Sequence, residues 1–348
     1  DAFRTARLRC FGPTEAAARL ESSKAYCKDF LARHNIPTAS YGVFSGYDGA
    51  AAYIRDKGAP IVIKADGLAA GKGVVVAKTE DEALNAVRHM LAGNIAGDAG
   101  HRVIIEEYLE GEEISFTVMA NESHFLPLVT SQDHKTRDDG DRGPNTGGMG
   151  AYSPAPVASE QIQQRIVKEI ISPTLRAMRD EGTPYTGFLY AGLIVTRDGT
   201  PKVLEFNCRL GDPETEPLMM RLRSDIIALC EATIDGRLGG AKADWDTRPA
   251  LGVVMASGGY PGKYQTGETI SGLPASEAGE CKVFHAGTTE RNGQVVTDGG
   301  RVLCVTALGD SVAQAQERVY KTVKGIRWPN VHYRTDIGYR AIQREGGQ

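Results

Sequence analysis

Residues 59–77 constrain the fold more tightly than any other stretch of the chain. Ala59-Pro-Ile-Val-Ile-Lys64 is a short apolar run and predicts a buried strand; Gly73-Val-Val-Val-Ala77 predicts a second. Lys64-Ala-Asp-Gly-Leu-Ala-Ala-Gly-Lys-Gly73 joins them. Glycines carry no Cβ, so such a backbone can close over phosphates and offer its amides to the oxygens. This is not a Walker A loop. Gly67 to Gly71 is one residue too short, and Gly73 stands where Ser or Thr should bind magnesium. It also lies between two strands, not between a strand and a helix. A glycine-rich flap with Lys64 at the end of its first strand predicts a lid over a nucleotide. An ordinary flexible hairpin has the same signature.

Around this flap the chain reads as alternating helices and strands. Residues 22–33 predict a helix capped by Ser22 or Ser23 and ended by His34-Asn-Ile-Pro37. Thr79-Glu-Asp-Glu82 has the form of a capping box, opening a helix whose apolar face holds Ala83, Val87, Met90 and Leu91. Residues 102–107 predict a third strand, and 113–120 an alternating fourth. Residues 133–153 read as a long polar loop, functional or disordered. A long helix is expected over 158–181. Strands at 188–196 and 201–207 are expected to pair through the turn Arg197-Asp-Gly-Thr200, and a helix over 224–237 follows. Residues 239–248 read as a linker. Beyond them, 249–348 predict a small α+β domain ending in one helix, 311–323.

At 348 residues the chain is too long for one ordinary core. Its net charge of -4, from 40 basic and 44 acidic residues, gives no electrostatic reason to expect nucleic acid. No apolar run reaches the length of a membrane span. None of the six cysteines forms a CxxC pair, so reduced thiols in a cytoplasmic protein are expected. The opening Asp1-Ala-Phe-Arg reads like the middle of an amphipathic helix. An upstream part of the protein is therefore expected to be missing.

Four further segments carry chemistry. In Val203-Leu-Glu-Phe-Asn-Cys-Arg209, strand alternation puts Glu205, Asn207 and Arg209 on one face and Leu204, Phe206 and Cys208 on the other. Two oxygen ligands on a rigid strand suit magnesium, with phosphates supplying further oxygens. Arg209 is then placed to stabilise charge on a transferring phosphoryl group. The polar face of an edge strand reads the same way. In Gly211-Asp-Pro-Glu-Thr215, Asp212 and Pro213 have the form of an N-cap and first helical residue. Ile105-Glu-Glu-Tyr-Leu-Glu-Gly-Glu-Glu113 offers backbone groups to an adenine edge and carboxylates to ribose, or is a charged turn. The stretch 133–150 is dense in donors, acceptors and glycines, as a loop closing over a polar substrate would be. His134 has no second His at metal-ligand spacing.

Together these segments resemble the ATP-grasp superfamily and, within it, the glycinamide ribonucleotide synthetases, or phosphoribosylamine–glycine ligases. The resemblance runs through Gly12-Pro-Thr14, Ser23-Lys24, 63–74, Glu107-Tyr-Leu109, 143–152, 204–215 and Ser257-Gly-Gly-Tyr-Pro-Gly262. It covers essentially the whole chain, and the runs 143–152 and 205–215 are the specific ones. It implies an α/β and α+β architecture: an ATP-grasp fold of two α+β subdomains clamping ATP, with a small C-terminal α+β domain. The expected boundaries are 1–21 for the tail of a Rossmann-like N-terminal domain, 22–240 for the ATP-grasp domain with its lid at about 38–112, and 249–348.

The resemblance also implies roles. Lys24 and Lys64 contact ATP phosphates, beneath a flap that includes Gly67, Gly71, Lys72 and Gly73. Glu106, Glu107, Tyr108 and Leu109 hold the adenine, with Glu113 near the ribose. Glu205 and Asn207 bind magnesium, or manganese in its place. Arg209 and Asp212 sit beside the reacting carboxylate and complete, with Lys64, the catalytic set. Asp133, Lys135, Asn145, Thr146 and Gly147 place the sugar phosphate or glycine. The strand 188–195 lacks the extra acidic metal ligand of many ATP-grasp enzymes, which favours one main protein-held cation.

The reaction implied is ligation of glycine to 5-phosphoribosylamine through glycyl phosphate, in purine synthesis, by a monomer or homodimer without nucleic acid or membrane partners. Another ATP-grasp carboxylate–amine ligase, or a non-catalytic ATP-binding fragment, is the alternative.

Overall fold

The computed structural model describes residues 1–67, 73–93, 101–275 and 279–347. They fall into two compact units, each built from separated stretches. The first comprises Asp1–Leu128, Val157–Leu210 and Ile226–Lys242; the second comprises Val129–Pro156, Gly211–Asp225 and Ala243–Gln348.

The first unit holds two four-stranded antiparallel sheets. One has the spatial order Tyr41–Phe44, Val103–Glu107, Ile61–Ala65, Val74–Ala77. Helices Tyr47–Lys57 and Glu80–Leu91 pack against it over Ile54, Ile63, Val87, Met90, Val103 and Ile105. Thr79 caps the second helix, its Oγ1 accepting from Glu82 N at 3.2 Å. The Glu82 carboxylate accepts from Lys78 N, one residue upstream of the reciprocal bond a capping box makes.

The other sheet has the order Pro201–Asn207, Gly187–Thr196, Gly111–Ala120, Phe125–Pro127. Residues 114–120 are all buried, so the alternation expected there gives way to a strand covered on both faces. Helices Glu15–Ser22 and Lys24–Arg33 pack against the Pro201–Asn207 strand. Ser23 caps the latter, its Oγ accepting from Tyr26 N at 3.2 Å. The long helix expected over 158–181 forms as Glu160–Ile166 and Ser172–Asp180, joined by a π turn, Val167–Ile171. Pro173 lies just beyond that wider turn; it has no amide to donate to the α-helical ladder.

The second unit is built on a five-stranded antiparallel sheet: Cys281–His285, Arg301–Leu308, Ala250–Ala256, Gly150–Ser153, Gln132–Asp133. Helix Val312–Val323 packs on it over Leu251, Val253, Val305, Val319 and Val323. Residues 133–153 are therefore not the structureless loop expected. They supply two strands of this sheet and a hairpin, Thr136–Asp138 with Arg142–Asn145. The polar, glycine-rich composition hides these strands because backbone pairing, not apolar alternation, holds them. A Cβ on Gly150 would lie 2.6 Å from Gly252 O, so only glycine lets the two strands approach. A second helix, Tyr339–Gly346, ends the unit, where the sequence led to the expectation of 311–323 as the single helix.

Candidate active site

The Pro201–Asn207 strand carries a bulge. Gly192 faces Glu205 and Leu193 faces Val203, which leaves Leu204 unopposed. The bulge turns the Leu204 carbonyl toward the other sheet of the same unit, where Lys64 Nζ donates to it at 3.2 Å. Gly192 also leaves space for the Glu205 side chain: a Cβ there would lie 3.2 Å from Glu205 Cγ.

Lys64 belongs to the strand before the flap and is buried. Its Nζ lies 3.0 Å from the Glu106 carboxylate. Glu106 is buried too and has a second ammonium partner, Lys28, at 2.8 Å. Burial alone would push the Glu106 pKa up. Lys64 and Lys28 outweigh it and hold the carboxyl below its ordinary value, hence ionised. Burial likewise pushes Lys64 down, but Glu106 and then Glu205 outweigh it and raise its pKa. Lys24, first residue of its helix, donates from Nζ to Gly67 O at 2.8 Å. Its pKa is lowered by burial, against the pull of Glu205. The start of the flap is tied to the same helix: Asp66 Oδ1 accepts from Ala25 N at 3.1 Å and Ser23 Oγ at 3.2 Å. Gly73 O accepts from Ala65 N at 2.8 Å, closing the base of the flap. Gly71 and Lys72 lie outside the described residues.

The segment after Glu106 leads away from this charge cluster. Glu107 accepts from Ser40 N and Oγ, each at 3.2 Å, and Tyr108 is exposed. Leu109 is buried with Ala39 and Ile194, flanked by Leu204. Glu113 faces Ile194 across the sheet, and its charge helps raise the Lys64 pKa.

Glu205 and Asn207 remain on one face of the strand after the bulge. Arg209 does not continue that face, because the strand ends at Asn207. Its Nε donates to Glu21 Oε1 at 3.1 Å, while Glu21 Oε2 accepts from Cys208 N at 2.7 Å. A carboxylate and an amide oxygen fit a hard cation. Among the described residues no three His, Cys, Asp or Glu side chains gather into a metal cluster. Phosphate oxygens and water would have to complete the shell.

In the second unit, Asp133 Oδ2 pairs with Lys135 Nζ at 2.9 Å. Asn145 faces Thr136 across the hairpin. Thr146 N and Oγ1 both donate to Lys135 O, at 2.7 and 2.8 Å. Gly147 N donates to Tyr260 Oη at 3.0 Å, and Arg301 Nη1 donates to Gly147 O at 2.7 Å. The same guanidinium meets Asp212 Oδ2 through Nη2 at 2.7 Å. Asp212 is not the N-cap expected of it. Helix Thr215–Arg221 starts three residues later with Glu214 at its cap, and the Asp212–Pro213 peptide is cis.

Residues 22–215 match the family described as "Phosphoribosylglycinamide synthetase, ATP-grasp (A) domain", and residues 250–340 match its "C domain". The chain belongs to this family. Phosphoribosylamine–glycine ligase of Yersinia pestis is 62% identical over 345 residues, covering 99% of this chain and 81% of that protein. The Escherichia coli O6:H1 ligase is 61% identical over 346 residues, with the same coverage. The crystal structure of the Thermotoga maritima ligase superposes with a TM-score of 0.83 at 36% identity, covering 94% of this chain and 81% of that one. The biotin carboxylase domain of Hydrogenobacter thermophilus 2-oxoglutarate carboxylase, solved with MgADP, has a TM-score of 0.73 at 17% identity, covering 95% of this chain and 72% of that one. That likeness is one of fold. An ATP-grasp ligase of this family thus carries, in one unit, the lysine and carboxylate cluster built above.

Sequence reasoning missed Lys28, Glu21, Tyr260 and Arg301. Lys28 had a signal: it lies on the helix among Ala25, Cys27, Phe30 and Leu31, all buried, and a lysine there needs a partner. Tyr260 lies in the Ser257–Gly262 run that carries the resemblance, without a role having been read for it; Glu21 and Arg301 are distant in sequence from the groups they hold, and no spacing rule reaches them.

Proposed function

We propose that this chain joins glycine to 5-phosphoribosylamine using ATP, in two in-line steps, as its family does. The observation that carries the reading is that Lys64 Nζ reaches Leu204 O, next to Glu205, at 3.2 Å while Lys24 Nζ is held at Gly67 O at 2.8 Å, with the Glu205 charge acting on both ammonium groups. Two ammonium groups facing one metal-type ligand are what a polyphosphate carrying a divalent cation requires.

In this reading Lys64 and Lys24, the latter held at Gly67 O, neutralise phosphate charge. Residues 107–109 take the adenine edge, beside the apolar group of Ala39, Leu109, Ile194 and Leu204. Glu106 serves as counter-ion to the lysines and not as an adenine ligand. Glu113 lies on the ribose side. Glu205 and Asn207 hold magnesium, which when bound spreads the negative charge of the phosphates. Arg209, fixed by Glu21, meets the phosphoryl group as it passes to the glycine carboxylate. Asp212, Asp133, Lys135, Asn145, Thr146 and Gly147 place glycine and the sugar phosphate. The amine of phosphoribosylamine then attacks the acyl carbon of glycyl phosphate and phosphate leaves. The protein contributes position, charge and exclusion of water, not a covalent nucleophile. All six cysteines are free thiols, in keeping with a cytoplasmic enzyme. Among the described residues no helix is long and apolar enough to cross a membrane.

The test is ADP release from the intact protein. It should require both glycine and phosphoribosylamine, and replacing glycine with formate or bicarbonate should abolish it. Release with formate or bicarbonate in place of glycine would move the chain to a different carboxylate. ATP binding without turnover would make it a non-catalytic module.

A further inference from the structure

Lys28 touches none of the groups assigned to substrate, yet it is buried deeper than Lys64. Its side chain is 3% exposed against 9%. Its Nζ donates to Thr38 Oγ1 at 2.7 Å and lies 2.8 Å from the Glu106 carboxylate. Thr38 Oγ1 in turn donates to Val203 O at 2.7 Å, so this ammonium is anchored to the strand that carries Glu205. Lys64 approaches the same carboxylate from the neighbouring strand, at 3.0 Å. One buried carboxylate therefore has two ammonium partners, of which one is locked in place.

A buried carboxylate with a single counter-ion resists giving it up, because the charge left behind has neither water nor a partner. Were Lys64 the only partner of Glu106, moving its ammonium onto a phosphate would strand Glu106. With Lys28 present, Glu106 stays paired and hydrogen-bonded when Lys64 departs. We propose that Lys28 is a positioning residue that acts through Glu106: it is the permanent counter-ion that releases Lys64 to bind the nucleotide's phosphates. This rests on the reading of Lys64 as a phosphate ligand.

The inference is tested by calorimetric titration of the full chain with ATP and magnesium, without glycine. Lys28→Met should weaken binding by about tenfold or more, because Glu106 then holds Lys64 as its sole partner. Adding Glu106→Gln to that variant should restore binding to within about threefold of the original, since no carboxylate is left to retain Lys64. A purely structural role for Lys28 gives no such rescue. Wild-type affinity in Lys28→Met, or a double variant no better than the single one, overturns the inference. If Lys28→Met does not fold, Glu106→Gln is compared with the double variant, in which Lys64 alone of the three side chains keeps its charge. Equal affinity supports the inference, and a tenfold or greater further loss overturns it by showing that Lys28 acts on the nucleotide directly. Lys64→Met separates the two readings. If it binds ATP as tightly as the original chain, the reading of Lys64 itself fails. If it binds weakly while Lys28→Met binds normally, only the role of Lys28 falls.

Discussion

Arg301 and Asp212, 89 residues apart in sequence, are joined by a 2.7 Å ion pair in which Arg301 Nη2 meets Asp212 Oδ2. The same guanidinium donates to Gly147 O and to Asp212 O, so one side chain sets the 147–148 turn against the 211–213 turn. Arg301→Met should lower kcat/KM for glycine about tenfold, a cost near 1.4 kcal/mol. Asp212 is exposed, which keeps the figure small. Affinity for ATP should not change, and titration with ATP alongside steady-state kinetics checks both halves.

The turn itself depends on glycine. Gly148 has φ +114°, and a Cβ there would lie 2.3 Å from Pro213 Cδ. Gly148→Ala should destabilise the protein by about 2 kcal/mol or more, from strain and overlap together. Gly182 has φ +76° with nothing within 4 Å of its Cβ position. Gly182→Ala should cost only about 1 kcal/mol, the backbone penalty alone. Urea denaturation of the two variants measures the difference.

Glu21 holds Arg209 with one carboxylate oxygen and the Cys208 amide with the other. Glu21→Gln keeps an acceptor for the amide but removes the charge opposite the guanidinium. Turnover should fall several-fold while the KM for ATP stays within about twofold, because Arg209 is assigned to the transferring group and not to ground-state binding. Equal losses in binding and turnover would remove that assignment.

Acid should weaken the second unit in a particular way. Asp246 accepts from Arg248 N and Nε at 2.9 and 3.1 Å, and from Arg223 Nη2 at 2.7 Å. The bonds from Arg248, with help from Arg223, hold its carboxyl well below the usual carboxylate range. A group depressed in the folded state stabilises fully above its unfolded pKa of about 3.9, and that stability is lost as pH falls through the folded value. Asp246→Asn should therefore lose stability at pH 7 and show a shallower decline below about pH 4. Thermal melts across pH 2–7 compare the two slopes.

Much of this architecture was legible because periodicity and caps act locally. Thr79 and Ser23 cap the helices expected of them, and the strands on either side of the flap fall where their apolar runs lie. What stayed hidden depends on contacts distant in sequence. Residues 133–153 fold as strands only because neighbours such as Ala250–Ala256 pair with them. Arg209 leaves the Glu205 face because the strand ends at Asn207, and Glu21 then holds it, while Asp212 meets Arg301 in place of capping a helix. Strand alternation named Glu205 and Asn207, but the bulge at Leu204 that brings Lys64 to this strand has no signature in residue type.

Glu205 acting as a cation ligand beside two lysines is the centre of the proposed chemistry. The most direct test is ADP release by Glu205→Ala, with saturating ATP, glycine and phosphoribosylamine, next to the unaltered chain. Loss of the ligand should reduce turnover by more than about a hundredfold, while thermal stability remains close to that of the parent. Turnover equal to the parent's would contradict the metal assignment and the ligase chemistry built on it.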